Sequence, residues 1–362
     1  MSRILILAPN PPWYLGGIEK VVKETAIRLA QNSRVNIEIW CKDSENKTTL
    51  WNGIKVRTFK KTLPFGLSLD MMKELKRLQK QFDIIHIHGT SNLYPLEVLL
   101  VIDNWKNIVV SSHYHSKGSN VLFRLTKPLY DKIFVSKYLR KASSVICVSK
   151  TEKEILLAKF KLPLNKIRVI HNGVPVDKIK AFKPKKVSKQ EKVSILYFGR
   201  LERYKNIHVL IESLRYLPNT FVLYIVGKGS YERELHKLTE DLNLQERVKF
   251  LGFLPEENLY SLLHSVDLVV NLSEIEAFGI MAVESICTNR PVLVNPKGGL
   301  KEIAEYFPGI VFPVNPNPKE VASKIEALSL NRKYKVGRKI YLFDWSVIIS
   351  QFVELYKFQR DI

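Results

Sequence analysis

The sequence has few cysteines, no long apolar run and no low-complexity tract outside the basic segment 178–192. A membrane-spanning helix needs roughly 18 consecutive apolar residues, and no run of that length occurs. The N-terminal stretch MSRILILAPN lacks the long apolar core and the cleavage site of a signal peptide, so we expect a cytoplasmic protein. Cys41, Cys147 and Cys287 lie in apolar surroundings without metal-ligand spacing, which predicts buried thiols rather than disulfides or a metal site.

Acidic residues are scarce in the first half of the chain. Of the net charge of +22, residues 1–177 carry +15, residues 178–192 carry +6, and residues 193–362 carry +1. The positive electrostatic field of this excess raises the local concentration of anionic partners, which could be nucleic acid, an anionic membrane surface or a phosphate-bearing substrate. A general surplus of charge that keeps the protein soluble explains the excess equally well, so the charge alone does not choose a partner.

Short apolar runs alternate along the chain with segments whose apolar residues recur at helical spacing. RILILAP, residues 3–9, is a predicted strand, and GGIEKVVKETAIRLAQ follows it as a predicted helix. The alternation continues through both halves and predicts parallel sheets with helices on both faces. At 362 residues, we expect two doubly wound α/β domains, in which ligands bind outside the carboxyl ends of the strands.

The basic, polar segment 178–192 divides the two alternating series. We therefore predict a first domain over residues 1–177, a linker over 178–192 and a second domain over 193–340. Residues 341–362 contain an amphipathic helix that follows the last predicted strand.

The segment EIEAFGIMAVES, residues 274–285, places two carboxylates around a predicted helix start. Glu276 falls in the loop after the strand LVVNLS, and Glu284 lies about one turn into the helix that Gly279 opens. Free backbone N–H groups at Phe278, Gly279, Ile280 and Met281 suit an anion such as phosphate. Carboxylates accept hydrogen bonds from sugar or ribose hydroxyls. Alternatively, Glu276 caps the helix and Glu284 is a solvated helix residue.

His86 and His88 in DIIHIHG invite a metal-site interpretation. Strand alternation puts both side chains on one face, but a third ligand is missing. Buried or strand-end polar histidines are therefore the better interpretation, and we predict no metal site.

The glutamate segment resembles the signature of retaining GT-B glycosyltransferases of family 4. Other segments resemble this family's motifs in the same order along residues 16–357: GGIEKVV (16–22), CVSKTEKE (147–154), VIHNGV (169–174), YFGRLERYKNIHVLIES (197–213), IVGKG (225–229), FLGFLP (250–255), NPKGGLKEI (295–303) and FDWSVIISQFVELYK (343–357). The resemblance implies the GT-B fold, with two Rossmann-like domains facing a central cleft and a closing helix that crosses back to the first domain.

The resemblance also implies roles for individual residues. Arg200 and Lys205 would stabilise the donor diphosphate as it leaves, without a metal or other cofactor, and the chain has no Asp-x-Asp motif. Glu276 would bind hydroxyls of the transferred sugar and Glu284 the nucleotide ribose. His113 would lie beside the donor sugar, and we prefer it to His115 because it sits at the strand end. The remaining donor-binding positions are Gly16, Gly17, Gly227, Phe278, Gly279 and Ile280.

Structural alternatives to these roles stay open. Arg200 and Lys205 could be an ordinary exposed pair at a strand end, and Gly16 and Gly17 could merely form a tight turn. The chain also has Ala277 where the family commonly has glycine, which questions the fit of the donor sugar.

The resemblance implies a retaining transfer from a nucleoside-diphosphate sugar, most simply a UDP- or GDP-sugar, to a hydroxyl of a glycan. The basic first domain favours a lipid-linked or membrane-associated acceptor and a peripheral position on the inner face of the cell membrane. A sugar-nucleotide epimerase of the same fold is the alternative. A nucleic-acid-binding protein is disfavoured, because the paired glutamates would then be unexplained and no stacking platform is evident.

Segment 117–141 is the candidate membrane surface, because it mixes basic and apolar residues. They are Lys127, Lys132, Lys137, Arg140 and Lys141 with Leu122, Phe123, Leu129, Phe134 and Leu139. The basic residues do not gather on one helical face and Pro128 interrupts the segment, so a buried helix with solvated lysines is an equal alternative.

Overall fold

The computed structural model describes residues 2–14, 16–31, 35–62, 66–90, 93–114, 121–183, 192–330 and 333–360, with backbone only for 121–125 and 358–360. The chain forms two compact units. The first comprises Met1–Asn172 and Trp345–Ile362, and the second comprises Gly173–Asp344.

The secondary structure alternates as the apolar pattern predicts. The strands are β1 Ser2–Ala8, β2 Val35–Asp43, β3 Lys47–Trp51, β4 Ile54–Lys60, β5 Ile84–His88, β6 Ile108–Ser111, β7 Ser144–Cys147, β8 Ile167–Val169, β9 Val193–Phe198, β10 Phe221–Val226, β11 Val248–Gly252, β12 Leu268–Asn271, β13 Val292–Val294 and β14 Val311–Pro313. The helices are α1 Gly17–Ala30, α2 Leu69–Leu78, α3 Tyr94–Val101, α4 Val121–Tyr130, α5 Ser136–Lys141, α6 Lys150–Phe160, α7 Val176–Ala181, α8 Ile207–Ser213, α9 Glu232–Asp241, α10 Glu256–Ser265, α11 Ile280–Ile286, α12 Gly299–Tyr306, α13 Pro318–Leu330 and α14 Trp345–Arg360.

The first unit is built on an eight-stranded sheet in the order β3-β4-β2-β1-β5-β6-β7-β8. Its strands pair in parallel except β3, which runs antiparallel to β4. The central strands β1 and β5 are almost entirely buried, because helices cover both faces of a parallel sheet.

The β3–β4 hairpin is absent from the sequence prediction. Asn52 and Gly53 connect the two strands with φ angles of 48° and 75°. Asn-Gly is the dipeptide that favours positive φ at both central positions of a hairpin turn, so this signal was present in the sequence.

Helix α14 belongs to the first unit, although it lies at the end of the chain. It packs on α1, where the Arg28 guanidinium lies 5.7 Å from the Trp345 ring centroid. The predicted return of the closing helix to the N-terminal domain is thus confirmed.

The second unit has a parallel six-stranded sheet in the order β11-β10-β9-β12-β13-β14. All five predicted strands of this half are present, and the sequence prediction missed the short β14 and helix α13.

Gly173 begins the unit, and α7 occupies the start of the segment predicted as a linker. Its apolar residues Val176 and Ile179 are buried, which is why this part of the basic segment is helical. Residues 184–191 of that segment lie outside the described residues.

No helix in the described part of the chain is both long enough and apolar enough to cross a membrane.

Candidate functional site

The order of strands in the second unit marks where a ligand is expected. From β9 the chain continues to β10 on one side, whereas β12 pairs with the other side of β9. Such a reversal of strand order leaves a crevice outside the carboxyl ends of the two strands. The loop 199–206 follows β9 and the loop 272–279 follows β12, so both predicted charged segments lie at this edge.

Arg200 lies in the first of these loops. The Tyr197 hydroxyl donates a hydrogen bond of 2.8 Å to the Arg200 carbonyl oxygen, which fixes the loop to the buried end of β9. The exposed Arg200 guanidinium donates through Nη2 to the Tyr204 hydroxyl at 2.8 Å. Burial, with Glu276 nearby, raises the pKa of Tyr197 well above its usual range, so its hydroxyl stays a donor.

The structure brings Lys205 and Glu276 together. Lys205 Nζ lies 2.6 Å from Glu276 Oε2, and the two side chains are 14% and 22% exposed. Two contacts between the loops support this pair: Glu274 N donates to Tyr204 O at 2.9 Å, and Asn206 Nδ2 donates to a strand-end carbonyl at 3.0 Å. A cation and a carboxylate, 71 positions apart, therefore form one charged group at the edge of the sheet.

The helix start between the two glutamates has the predicted location. Gly279, at a φ of 104°, precedes α11, and Phe278 is buried against the Phe343 ring with a centroid distance of 5.6 Å. Glu284 is 3% exposed, and the Tyr260 hydroxyl donates to its Oε1 at 3.3 Å. The alternative that Glu284 is a solvated helix residue is therefore wrong. Tyr260, on α10, was not singled out from the sequence.

Glycines at this edge allow loops to stack on one another. A Cβ on Gly227, whose φ is 136°, would lie 1.9 Å from the Gly199 carbonyl oxygen. A Cβ on Gly298 would lie 2.3 Å from the Glu276 carbonyl oxygen, and one on Gly299 would lie 2.4 Å from Phe278 Cα. The backbone therefore requires glycine at these positions for packing, independently of any ligand.

Ala277 adopts its conformation without strain. Its φ is not positive, and the side chain is half-buried. Because no left-handed backbone is required there, alanine replaces the family's common glycine at no conformational cost.

The glycines of the first unit differ from each other. A Cβ on Gly16 would lie 2.0 Å from Glu19 Oε2, because the Glu19 side chain folds back over the start of α1 and accepts from Asn10 Nδ2 at 2.8 Å. A Cβ on Gly17 would meet no described atom within 4 Å. A side chain at position 16 would therefore only have to displace the flexible end of Glu19, and position 17 has open space beside it.

His113 follows β6 with a left-handed φ of 42° and is 8% exposed. Its Nε2 lies 3.2 Å from His88 Nδ1, and the two rings stack at 21°. Residues 115–120 lie outside the described residues, so the choice between His113 and His115 stays a prediction.

Glu152, on α6, binds the residues on both sides of His113, and the sequence reasoning did not single it out. Its Oε1 accepts from Ser112 Oγ and from Tyr114 N at 2.5 Å each, and its Oε2 accepts from Val148 N at 2.7 Å. Burial raises the pKa of the Glu152 carboxyl, and these hydrogen bonds act in the opposite direction. The S-x-x-E pattern that begins at Ser149 is the capping signature that could have revealed it.

His86 and His88 are fully buried, as the interpretation as polar core histidines predicts. Burial lowers the pKa of His86 to about 3 and holds the pKa of His88 well below its usual range, so both rings are neutral. Within the described ranges, no group of three or more His, Cys, Asp or Glu side chains could hold a metal ion.

The basic segment is only partly a surface. Lys127 is buried and pairs with Asp131 at 2.8 Å, so its assignment to a membrane-facing surface is wrong. Leu139 is buried as well. Thr126, Pro128 and Lys141 are exposed, and five further exposed residues of 126–141 form a mixed surface, which we call the basic-apolar face: Leu129, Lys132, Ile133, Lys137 and Arg140. Residues 117–120 and the side chains of Leu122 and Phe123 lie outside the described part.

Comparisons with known proteins follow the same division of the chain. The family model described as Glycosyltransferase Family 4 matches residues 15–178, and that described as Glycosyl transferases group 1 matches residues 178–339. An uncharacterized glycosyltransferase of Methanocaldococcus jannaschii is 28% identical, with 100% of this chain and 99% of the relative covered. The phosphatidylinositol N-acetylglucosaminyltransferase GPI3 subunit of Saccharomyces cerevisiae is 26% identical, with 94% and 80% covered.

Solved structures share the architecture. Sucrose-phosphate synthase from Thermosynechococcus elongatus superposes with a TM-score of 0.82 at 18% identity, covering 99% of this chain and 98% of that one. Anabaena HepE in complex with UDP-glucose superposes with a TM-score of 0.76 at 20% identity, covering 99% and 100%. These likenesses establish the GT-B fold.

Proposed function

We propose that this chain is a retaining, metal-independent enzyme whose acceptor is a membrane-associated glycan. The chain belongs to the family 4 glycosyltransferases of the GT-B fold, which transfer a sugar from a nucleotide sugar. The observation that carries this proposal is the Lys205–Glu276 pair at the carboxyl edge of the second sheet, beside the exposed Arg200. Cations at such an edge suit a diphosphate, and the carboxylate beside them suits sugar hydroxyls.

Arg200 and Lys205 stabilise the leaving nucleoside diphosphate. When the bond between the anomeric carbon and the diphosphate breaks, negative charge grows on the phosphate oxygens. Preorganised cations then lower the barrier, because they interact more strongly with the transition state than with the ground state. Two basic side chains supply this charge, so the proposal requires no divalent ion.

Retention follows from front-face substitution. Double displacement would need a carboxylate free to attack the anomeric carbon from the opposite face. Glu276 is hydrogen-bonded to Lys205 and is assigned to the sugar hydroxyls. The acceptor hydroxyl oxygen therefore forms the new bond on the face from which the diphosphate departs, and its proton passes to a departing phosphate oxygen.

The nucleotide and sugar contacts complete the donor site. Glu284 binds the ribose, and the backbone around Phe278, Gly279 and Ile280 lies near the phosphates. His113 is the residue assigned to contact with the transferred sugar. The remaining donor-binding positions are Gly16, Gly17 and Gly227. UDP- and GDP-sugars are the expected donors, and the likeness to a UDP-glucose complex supports testing UDP-glucose first.

The acceptor is a lipid-linked glycan, and the enzyme is peripheral on an anionic membrane. Leu129 and Ile133 are 63% and 49% exposed, and Lys132 and Lys137 are exposed between and beyond them. Apolar side chains flanked by lysines suit an anionic lipid surface. The yeast relative is named for a phosphatidylinositol substrate, which supports a lipid acceptor class.

A donor panel tests the enzymatic proposal. Thermal unfolding is measured with UDP-, GDP- and ADP-sugars, because a ligand at 100 times its Kd stabilises by about 2.7 kcal/mol. The stabilising donor is then incubated with lipid-linked glycans, and the anomeric configuration of the product is read by NMR. An inverted product contradicts retention, and free epimerised sugar nucleotide without acceptor favours the epimerase alternative.

Vesicle binding tests the membrane proposal. Sedimentation with anionic vesicles should decrease at high salt, and it should fall further in the double variant Leu129→Ser, Ile133→Ser. The matched control is Leu330→Ser, because Leu330 of the second unit is 83% exposed. Binding that is absent at low salt, or that Leu330→Ser lowers equally, contradicts a membrane role for the basic-apolar face.

A further inference from the structure

His113 has a backbone conformation that requires support. A non-glycine residue in the left-handed region costs roughly 1–2 kcal/mol. Such conformations persist only where surrounding contacts hold them. Because His113 has a φ of 42°, contacts around this loop must hold its backbone.

Glu152 holds the residues on both sides of His113. Its Oε1 accepts from the Ser112 hydroxyl and from the Tyr114 backbone N–H, while its Oε2 accepts from the backbone N–H of Val148, which directly follows β7. The carboxylate is 2% exposed. A buried acceptor that spans positions 112 and 114 fixes the chain direction at the residue between them.

The side chain of Tyr114 anchors the same loop from the other side. Its hydroxyl donates to Asp131 Oδ2 at 2.6 Å, and Asp131 also pairs with Lys127 at 2.8 Å and Lys159 at 2.7 Å. Asp131 begins a π-helical turn between α4 and α5, a feature found frequently at functional sites.

The ring of His113 is held by His88. One nitrogen of each ring joins them at 3.2 Å, and the His86 ring lies 4.3 Å from that of His88. His86 is fixed in turn by Tyr356 of α14 at 2.7 Å and by Ser111 at 2.8 Å. The closing helix thus supports the histidines that reach His113.

We propose that Glu152 and His88 are positioning residues for His113, with Glu152 holding its backbone and His88 holding its ring. The inference rests on the proposed function, in which His113 lies beside the transferred sugar. Neither residue needs to touch substrate, since each acts through His113.

Matched substitutions separate positioning from stability. His88→Phe removes both ring nitrogens, whereas His88→Asn keeps a polar group near the position of Nδ1. Glu152→Gln keeps the shape of the side chain but turns an amide N–H towards one of the groups that donate hydrogen bonds to the carboxylate. A misplaced group costs up to about 100-fold in rate. His88→Phe and Glu152→Gln should therefore lower kcat about 10- to 100-fold, whereas the kcat of His88→Asn should stay within about threefold of wild type. Glu97→Gln, a buried glutamate paired with Lys42, is the control that lowers stability alone.

A double-mutant cycle tests whether the effects pass through His113. In a His113→Ala background, Glu152→Gln and His88→Phe should change kcat by less than about threefold, because the group they position is gone. A further loss of about tenfold in that background overturns the inference. Wild-type kcat in both single variants, together with a kcat of His113→Ala that is lowered at least about tenfold, also overturns the inference, and that result leaves the proposed function intact.

Histidine ring ¹⁵N NMR tests the positioning without turnover. The His113 signals are identified by their loss in His113→Ala. They should shift in His88→Phe and in Glu152→Gln and stay near their wild-type positions in His88→Asn. If His113→Ala turns over normally, the proposed role of His113 fails, and the NMR result still decides the positioning. Unchanged His113 signals in both His88→Phe and Glu152→Gln overturn it.

Discussion

Replacing Lys205 or Glu276 should separate their small role in stability from their large role in transfer. Lys205→Met removes the charge at similar length, and Glu276→Gln keeps the shape of the carboxylate. A hydrogen bond that involves a charged group contributes about 1.5–3 kcal/mol when it is well shielded. The Lys205 and Glu276 side chains are 14% and 22% exposed, and Lys205 Nζ lies 2.6 Å from Glu276 Oε2. We therefore expect Lys205→Met to lower the free energy of unfolding by about 1–2 kcal/mol.

The stability effect has a measurable signature. A loss of 1 kcal/mol lowers Tm by roughly 2–4 °C in a unit of this size. In the double variant, the loss should be smaller than the sum of the single losses, because both single changes break the same interaction. Lys301→Met is the control, because it removes a solvent-exposed ion pair: the Lys301 and Glu305 side chains are 64% and 65% exposed, and their charged atoms lie 3.9 Å apart.

The effect on transfer should be far larger. Removing a preorganised electrostatic group costs about 10²–10³ in kcat. Release of nucleoside diphosphate from the identified donor should therefore fall about 10²- to 10³-fold in Lys205→Met, and Glu276→Gln should lose a similar factor. Turnover within threefold of wild type in both variants, with the expected fall in Tm, would refute the catalytic assignment and leave a structural ion pair.

Three further changes test other parts of the molecule. Gly227→Ala should lower Tm strongly or prevent folding, because its Cβ would overlap a carbonyl oxygen, whereas Gly337→Ala should have little effect. Glu284→Gln should raise the donor KM with a smaller effect on kcat, measured by initial rates. His86 has a pKa of about 3 in the folded chain against about 6.5 unfolded, so its contribution to stability is complete above pH 6.5 and decreases as pH falls towards 3. At pH 5 the loss is about 2 kcal/mol, measured by denaturant unfolding against pH.

Each of these expectations has a contrary result. Equal Tm values for Gly227→Ala and Gly337→Ala would contradict the packing argument. An unchanged donor KM in Glu284→Gln would contradict a ribose contact. His86→Phe should flatten the acid dependence of stability, while the exposed His236→Phe should not; equal profiles would contradict the pKa assignment for His86.

The alternation of the sheets was predictable because strands buried on both faces are short continuous apolar runs. The hairpin escaped this reasoning, because β3 is an edge strand whose side chains are largely exposed and polar. The three-residue strand β13 was predictable because all its residues are apolar and buried, whereas in the equally short β8 and β14 only the first residue is buried. Their positions depend on the neighbouring strands rather than on their own sequence.

The site was predictable in its parts but not in its contacts. Apolar runs placed Lys205 and Glu276 after two different strands, but only the sheet order makes those strands neighbours. Similarly, the charge pattern could not show that Lys127 is buried. The Asp131 that pairs with it four positions later was a local signal, whereas the second cation, Lys159, comes from a distant helix.

The glycines of the second unit affect Glu276 through the backbone. Gly299 N donates to the Glu276 carbonyl oxygen at 2.8 Å, and Gly298 brings its loop within contact of the same oxygen. A side chain at position 298 would displace this carbonyl and, with it, the carboxylate that pairs with Lys205. Because the backbone and side chain of one residue cannot move independently, a glycine in this loop supports the donor site even without contacting the donor.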